Sequence, residues 1–353
     1  MKLTDAIAVT PSSDSPRILL IRPSALGDVL RTVPVVASLK RAFPRSTIDW
    51  VVQEGFEDAV RGNQTINEII PFPRNALGGW RYWTHEKRRT VSHLKRKLWR
   101  QYDLAIDMQG LGRSGFMLFT TRAERRIGFA NASEFAWLGA NERYEVPRDL
   151  HAVTQMLTLL ESSGIKPIED MSLVVPKDSE ADWLRVKSIM GVPDSFVVFA
   201  PTSRWKSKEW PAEYWQALAG KVLTMGANHI VLLGAPSESA RLHAIAQRMP
   251  LAISVLAGEA TVGVSMAAVR DAQLLVANDS AMLHAAVGFN TPLVGLFGPT
   301  DPNISGPFKR LDETIRSEEA KASSAHYRDR SLGDELMRTI PVEMVTERLH
   351  GRL

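Results

Sequence analysis

Short apolar runs alternate with helical patterns along the whole chain. Arg17–Arg22 (RILLIR) reads as a strand, and the turn Pro23–Gly27 follows it. From Asp28 the pattern turns helical, with Val29, Val33, Val36 and Leu39 on one face. Thr47–Val52 predicts a second strand, Ile69–Ile70 lie in a third, and Leu104–Asp107 form a fourth. The series then restarts. Phe196–Ala200, His229–Gly234, Leu274–Ala277 and Pro292–Phe297 read as strands, separated by helices at Trp210–Leu223, from about Ser237, and at Ser280–Gly288. Strands alternating with helices predict mostly parallel sheets covered on both faces, so the fold class is α/β with two Rossmann-like halves. The seam is expected near Pro176–Pro193, and Pro341–Leu349 reads as a last helix.

A length of 353 residues suits two domains, and 44% hydrophobic with 23% charged residues suits globular cores. The absence of cysteine excludes disulfides, thiolate metal sites and a cysteine nucleophile. The first residues lack the basic-then-apolar pattern of a signal peptide and read as a short polar arm; no apolar stretch is long enough to span a bilayer. A cytoplasmic protein is the expectation. The formal charge of +4 is unevenly spread, because Lys87–Arg100 holds seven basic residues and no acidic one. Such a run is either a solvated helix face or a patch for an anionic partner: phosphate groups, a membrane surface or nucleic acid.

In open parallel sheets ligands bind beyond the C-terminal strand ends, and four candidate segments lie there. In Ser24–Asp28 (SALGD) one glycine and an acid replace a glycine-rich phosphate loop. A carboxylate at a helix N-terminus stays ionised, so Asp28 is either a general base or a helix cap. The loop Thr202–Pro211 offers hydroxyls and two lysines, Lys206 and Lys208; a lysine there could neutralise a departing diphosphate, or the loop could merely cap a helix. In Gly234–Glu238 the carboxylate of Glu238 could hold a ribose or simply sit in a first helical turn. Asn278–His284 places small residues, Ser280 and Ala281, at a helix start suited to a diphosphate, with Asp279 beside it and Gly298–Pro302 one strand later. Ser280 and His284 are one turn apart, but no nucleophile elbow accompanies them, and His284 reads better as a packed histidine. No metal constellation stands out.

Together these segments resemble glycosyltransferase family 9, the ADP-heptose:lipopolysaccharide heptosyltransferases. The resemblance rests on Ile18–Asp28, Trp50–Phe56, Tyr102–Gly110, His151–Val153, Thr202–Pro211, Gly234–Glu238 and Asn278–Pro302. Trp50–Phe56 and His151–Val153 are more similar to heptosyltransferase I than to II. The resemblance implies a GT-B fold, two Rossmann-like domains facing a central cleft: residues 1–175 bind the acceptor and carry the base, 176–335 bind the nucleotide sugar, and a C-terminal helix from 336 packs back on the N-terminal domain. It implies inverting, metal-independent heptose transfer from ADP-heptose to Kdo of the lipid A inner core, with no cofactor. Asp28 matches the base, Lys208 the diphosphate lysine, Glu238 the ribose ligand and Asp279 the residue near the heptose. Thr202, Ser203, Ser280, Ala281 and Met282 match the diphosphate stretch, and Lys206 and His284 complete the donor-binding set. The Thr202–Lys208 loop is one residue longer than in the family pattern, which leaves both lysines as candidates. Arg88, Arg89 and Arg113 are the acceptor-binding candidates. A monomer at the cytoplasmic face of the inner membrane is expected, with no nucleic-acid partner. The alternatives are another GT-B enzyme (heptosyltransferase II-like, a different nucleotide-sugar transferase, or an epimerase) and a non-enzymatic anion or nucleic-acid binder.

Overall fold

The computed structural model describes residues 14–74, 84–250, 252–258, 260–322 and 330–353. The expected N-terminal arm lies outside these residues, apart from its last few. Two compact units divide between Ser172 and Leu173.

The first unit holds β1 (Arg17–Ile21), β2 (Thr47–Gln53), β3 (Ile66–Phe72), β4 (Leu104–Asp107), β5 (Arg125–Phe129) and β6 (Glu142–Tyr144). They form one parallel sheet in the order β3-β2-β1-β4-β5-β6. Leu19, Ile21, Val51 and Ala105 pack with Leu94, Tyr102 and Leu118 in its core. The central strands are covered on both faces, which is why their sequences run continuously apolar instead of alternating.

The second unit holds β7 (Val197–Ala200), β8 (Ile230–Leu233), β9 (Ile253–Leu256), β10 (Leu274–Asn278), β11 (Leu293–Phe297) and β12 (Thr314–Arg316). Its parallel sheet runs β12-β11-β10-β7-β8-β9, which repeats the order of the first sheet when counted from its own first strand. In each unit the order reverses beside the first strand, between β1 and β4 and between β7 and β10, and such a reversal opens a crevice at the strand ends.

Two expectations are corrected. The stretch expected to be the seam is largely the helix Lys177–Ile189, which belongs to the second unit. Trp183 is fully buried there and its indole N–H donates to Asp271 at 2.9 Å. The last helix, Val342–Leu349, was expected to seat on the N-terminal domain. Instead its apolar residues Val342, Val345 and Leu349 complete the core around Trp215, Leu218 and Val222 of the second unit. The Trp210 indole reinforces this seat by donating to the Ile340 carbonyl at 2.9 Å.

Candidate functional site

In the first unit, β1 ends at Ile21 in register with Asp107 of β4. The chain then turns through Pro23–Ala25 into the helix Leu26–Arg31, where Asp28 occupies the third position. Ala25 N–H donates to Asp28 Oδ2 at 2.9 Å, so the carboxylate caps its own helix. Arg22 reaches Asp28 Oδ1 at 3.1 Å, and Arg31, one turn on, bonds the same oxygen. Burial alone would raise the pKa of Asp28, but Arg22, Arg31 and the Ala25 N–H together hold it well below the usual carboxylate range. The cap is therefore present, and the capping group is fixed, ionised and still 27% exposed.

Asp107, a neighbour in the sheet, behaves oppositely. Burial pushes its pKa up, against the N–H groups of Gln109 and Gly110 and the Ser114 hydroxyl. Its hydrogen bonds all go to its own loop and helix, so its task is to shape the β4 end. His151 likewise turns inward to local structure, its Nδ1 accepting from Val153 N–H at 3.1 Å to cap the helix Ala152–Ser162.

In the second unit, the loop after β7 and the end of β10 meet across the strand-order reversal. Lys208 Nζ lies 2.6 Å from Asp279 Oδ2. Lys206 starts the same short 3-10 turn but is exposed, whereas Lys208 is turned inward. Asn278 fixes this loop with both ends of its amide, accepting from Trp210 N–H at 3.1 Å and donating to the Pro201 carbonyl at 2.7 Å. The Ser203 hydroxyl donates to the Asp279 carbonyl at 3.3 Å.

Glu238 sits just past β8, in the short turn Pro236–Glu238. Its Oε2 accepts from the Thr202 hydroxyl at 2.9 Å and from Ala235 N–H at 2.8 Å. Arg241 donates to Glu238 Oε1 at 3.0 Å and also grips Glu209, whose Oε1 accepts from Ser203 N–H. Thr202, Ser203, Glu209, Glu238 and Arg241 thus form one connected network. Gly234 lies beneath it: a Cβ there would come within 2.7 Å of Leu242 and 2.8 Å of Thr202 Oγ1.

The helix Ala281–Phe289 begins after Ser280, whose side chain does not cap it. Its first N–H groups have no acceptor within the helix, and Ala281 keeps their approach narrow-shouldered. The hydroxyl oxygens of Ser280 and of Thr300, at the ends of adjoining strands, are buried without a hydrogen-bond partner. An orphaned Ser280 hydroxyl at a helix N-terminus, with a second at Thr300 past the neighbouring strand, suits an anion that supplies acceptor oxygens. Met282 borders the same turn, whereas His284 is packed inside the helix at 3% exposure. Asp301 is occupied as a cap for Asn303 and as a partner of Arg316.

The basic run proves divided. It forms the helix His85–Leu98, but Lys97 and Arg100 are paired with Glu68 on β3 and so hold the helix to the sheet. The side chain of Lys87 lies outside the described residues. Arg88, Arg89 and Arg96, with His85 and His93, line an open cavity of about 620 Å³ that reaches Glu54 and Pro71. Arg113 stands elsewhere, exposed in the first turn of the helix Gly112–Thr120. Among the described residues no three His, Asp or Glu side chains gather in a set that could hold a metal, and no helix is long and apolar enough to cross a membrane.

Arg22, Arg31, Glu209 and Arg241 were not anticipated from sequence. Arg31, Glu209 and Arg241 lie within three residues of an anticipated one and Arg22 six before Asp28, but only the fold shows which carboxylate each arginine holds.

Comparison with known proteins adds three findings. The family described as glycosyltransferase family 9 (heptosyltransferase) matches residues 91–333. Lipopolysaccharide heptosyltransferase 1 of Pseudomonas aeruginosa is 29% identical over 86% of this chain and 84% of its own; lipooligosaccharide heptosyltransferase 2 of Haemophilus ducreyi is 25% identical over 85% and 88%. Escherichia coli heptosyltransferase WaaC, solved with ADP-2-deoxy-2-fluoro heptose, superposes with a TM-score of 0.74 at 23% identity, over 96% of this chain and 100% of that one.

Proposed function

The chain belongs to glycosyltransferase family 9, the heptosyltransferases, with the GT-B fold, and from that premise we propose inverting transfer of L-glycero-D-manno-heptose from ADP-heptose to a Kdo residue of the lipid A inner core. The observation that carries this reading is the fixed, ionised Asp28. The acceptor hydroxyl attacks the anomeric carbon while the bond to ADP breaks, and its proton passes to Asp28. A carboxylate held so far down is a weak base. It takes the proton only as the new C–O bond forms and the hydroxyl acidifies. Arg22 and Arg31 orient it and keep it ionised for each turnover.

ADP binds at the second unit. The N-terminus of the helix Ala281–Phe289, with Ser280, Ala281, Met282 and Thr202–Ser203, receives the diphosphate, and Glu238 takes the ribose hydroxyls. Lys208 turns from Asp279 to the diphosphate as negative charge grows on the leaving group, which frees Asp279 for the heptose. The chemistry uses protein groups and calls for no metal. In this reading Arg88 and Arg89 at their cavity, together with Arg113, attract the acidic acceptor, and the enzyme works at the cytoplasmic face of the inner membrane.

The test is incubation with ADP-heptose and Kdo-lipid A, with and without EDTA, read by mass spectrometry. One added heptose, unaffected by chelation, supports the proposal; transfer only from UDP-sugars, or none, overturns it. The relatives named heptosyltransferase 2 motivate one second reading. An acceptor already carrying a heptose, offered in parallel, separates the two: preference for it would favour the second reading.

A further inference from the structure

The solvent face of the helix Gly112–Thr120 is apolar. Its buried face is Ser114, Gly115, Met117 and Leu118, so Arg113, Phe116 and Phe119 fall on the outside. Phe116 is 70% exposed and Phe119 66%. A second short element lies against it, the 3-10 turn Ala136–Gly139. The two backbones approach so closely that a Cβ on Gly115 would come within 2.4 Å of the Ala136 carbonyl oxygen, and one on Gly139 within 2.1 Å of the Gly115 oxygen. That turn adds Phe135, 73% exposed, and Leu138, 58% exposed, three residues apart and therefore on one side of a 3-10 turn. Four large, exposed apolar side chains thus lie on two elements in direct contact.

Phe135 is anomalous in a second way. Its φ is 58°, a left-handed conformation that a bulky residue adopts at a cost, and Glu134 before it has φ 53°. An aromatic that is both strained and exposed to water is explained neither by packing nor by backbone preference. The rim of the face is cationic. Arg113 heads it, Arg122 lies 5.0 Å over the half-exposed Trp99, and Lys95 lies 4.6 Å over the same ring. The nearby acids are Glu134, already accepting from Gly112 N–H, and Glu124.

We propose that this face docks on an anionic lipid bilayer, with Phe116, Phe119, Phe135 and Leu138 entering the headgroup region and Arg113, Arg122 and Lys95 meeting lipid phosphates. Exposed aromatics rimmed by cations suit the membrane interface, where apolar rings and fixed negative charge lie within a few ångströms of each other. A second copy of the chain fits worse, because a symmetric contact would set this cationic rim against itself. The inference deepens the proposed function, since it rests on an acceptor that is a lipid, but vesicle binding itself is measured without acceptor or donor.

The full-length protein is sedimented with vesicles of phosphatidylcholine alone and of phosphatidylcholine mixed with phosphatidylglycerol at about three to one. Strong binding to the mixed vesicles and weak binding to the neutral ones is expected. Phe116→Ser/Phe119→Ser should lower binding about tenfold or more. Phe135→Asn, which suits a left-handed backbone, should lower binding while leaving Tm unchanged or raised. Transfer to a water-soluble Kdo acceptor should stay at the wild-type rate in both variants, so failure of docking and failure of the heptosyltransferase reading are told apart. Equal binding by wild type and variants, or a concentration-dependent dimer abolished by Phe119→Ser, would overturn the proposal. So would a fall in Tm for Phe135→Asn with vesicle binding unchanged, which would make Phe135 a packing residue.

Discussion

The two units use one backbone plan for opposite chemistry. Each sheet reverses its strand order beside its first strand, and each carries a helix start at that crevice. In the first unit the helix start is filled from within: Asp28 takes the Ala25 N–H and is flanked by Arg22 and Arg31. In the second the helix start is left open by Ser280 and Ala281, with orphaned hydroxyls and a lysine beside it. The difference comes down to a few side chains. A carboxylate in the first turn makes a poised base and repels phosphate; small residues in the same place make an anion seat.

The sharpest way to break the contrast is to remove the proposed base. Asp28→Ala should lower transfer about 10³-fold while ADP affinity, measured by calorimetry, changes less than about threefold. Loss of ADP binding would mean the two crevices are not separate in task. Next, Lys208→Ala should lower transfer about 10²-fold and weaken ADP, while Lys206→Ala stays within a few-fold. The reverse order would move the role to the exposed lysine.

A third test uses pH. With both arginines in place, Asp28 remains ionised through the ordinary carboxylate range, so the rate profile should show no acid limb from it near pH 4. Arg31→Met removes a cation, raises the Asp28 pKa, and should bring in such a limb, with the rate falling as pH drops. The same sign governs stability. The depressed pKa contributes stability above the unfolded value, about pH 4, which is lost as pH falls toward the folded value. Smaller still, Gly234→Ala should cost about 1–3 kcal/mol by crowding Leu242 and Thr202, read by thermal melting, with ADP weakened and the Asp28 pH behaviour intact.

The sequence exposed the central strands and the strand-end motifs, because doubly covered parallel strands are continuous apolar runs. It did not expose β5, β6, β9 or β12. β6 and β12 (ERY and TIR) are short, polar strands at sheet edges, and β5 (RRIGF) opens with two arginines, so periodicity has little to register. The last helix was legible as a helix, and its seat was expected only from the resemblance; its apolar residues pack in the core around Trp215. At the candidate site the residue types were legible and their partners were not. Asp28 could be read as a cap or as a base, but the pair of arginines that holds it ionised comes from a strand end and from the next helical turn. The basic run showed its charge but not that Lys97 and Arg100 answer Glu68.

The division of tasks is tested most directly by hydrogen–deuterium exchange of the full chain with and without ADP. Slowed exchange at Thr202–Trp210, Ala235–Ser239 and Asn278–Leu283, with the Pro23–Asp28 turn little changed, is the predicted result. Slowed exchange at Pro23–Asp28 with none in those three segments would contradict it.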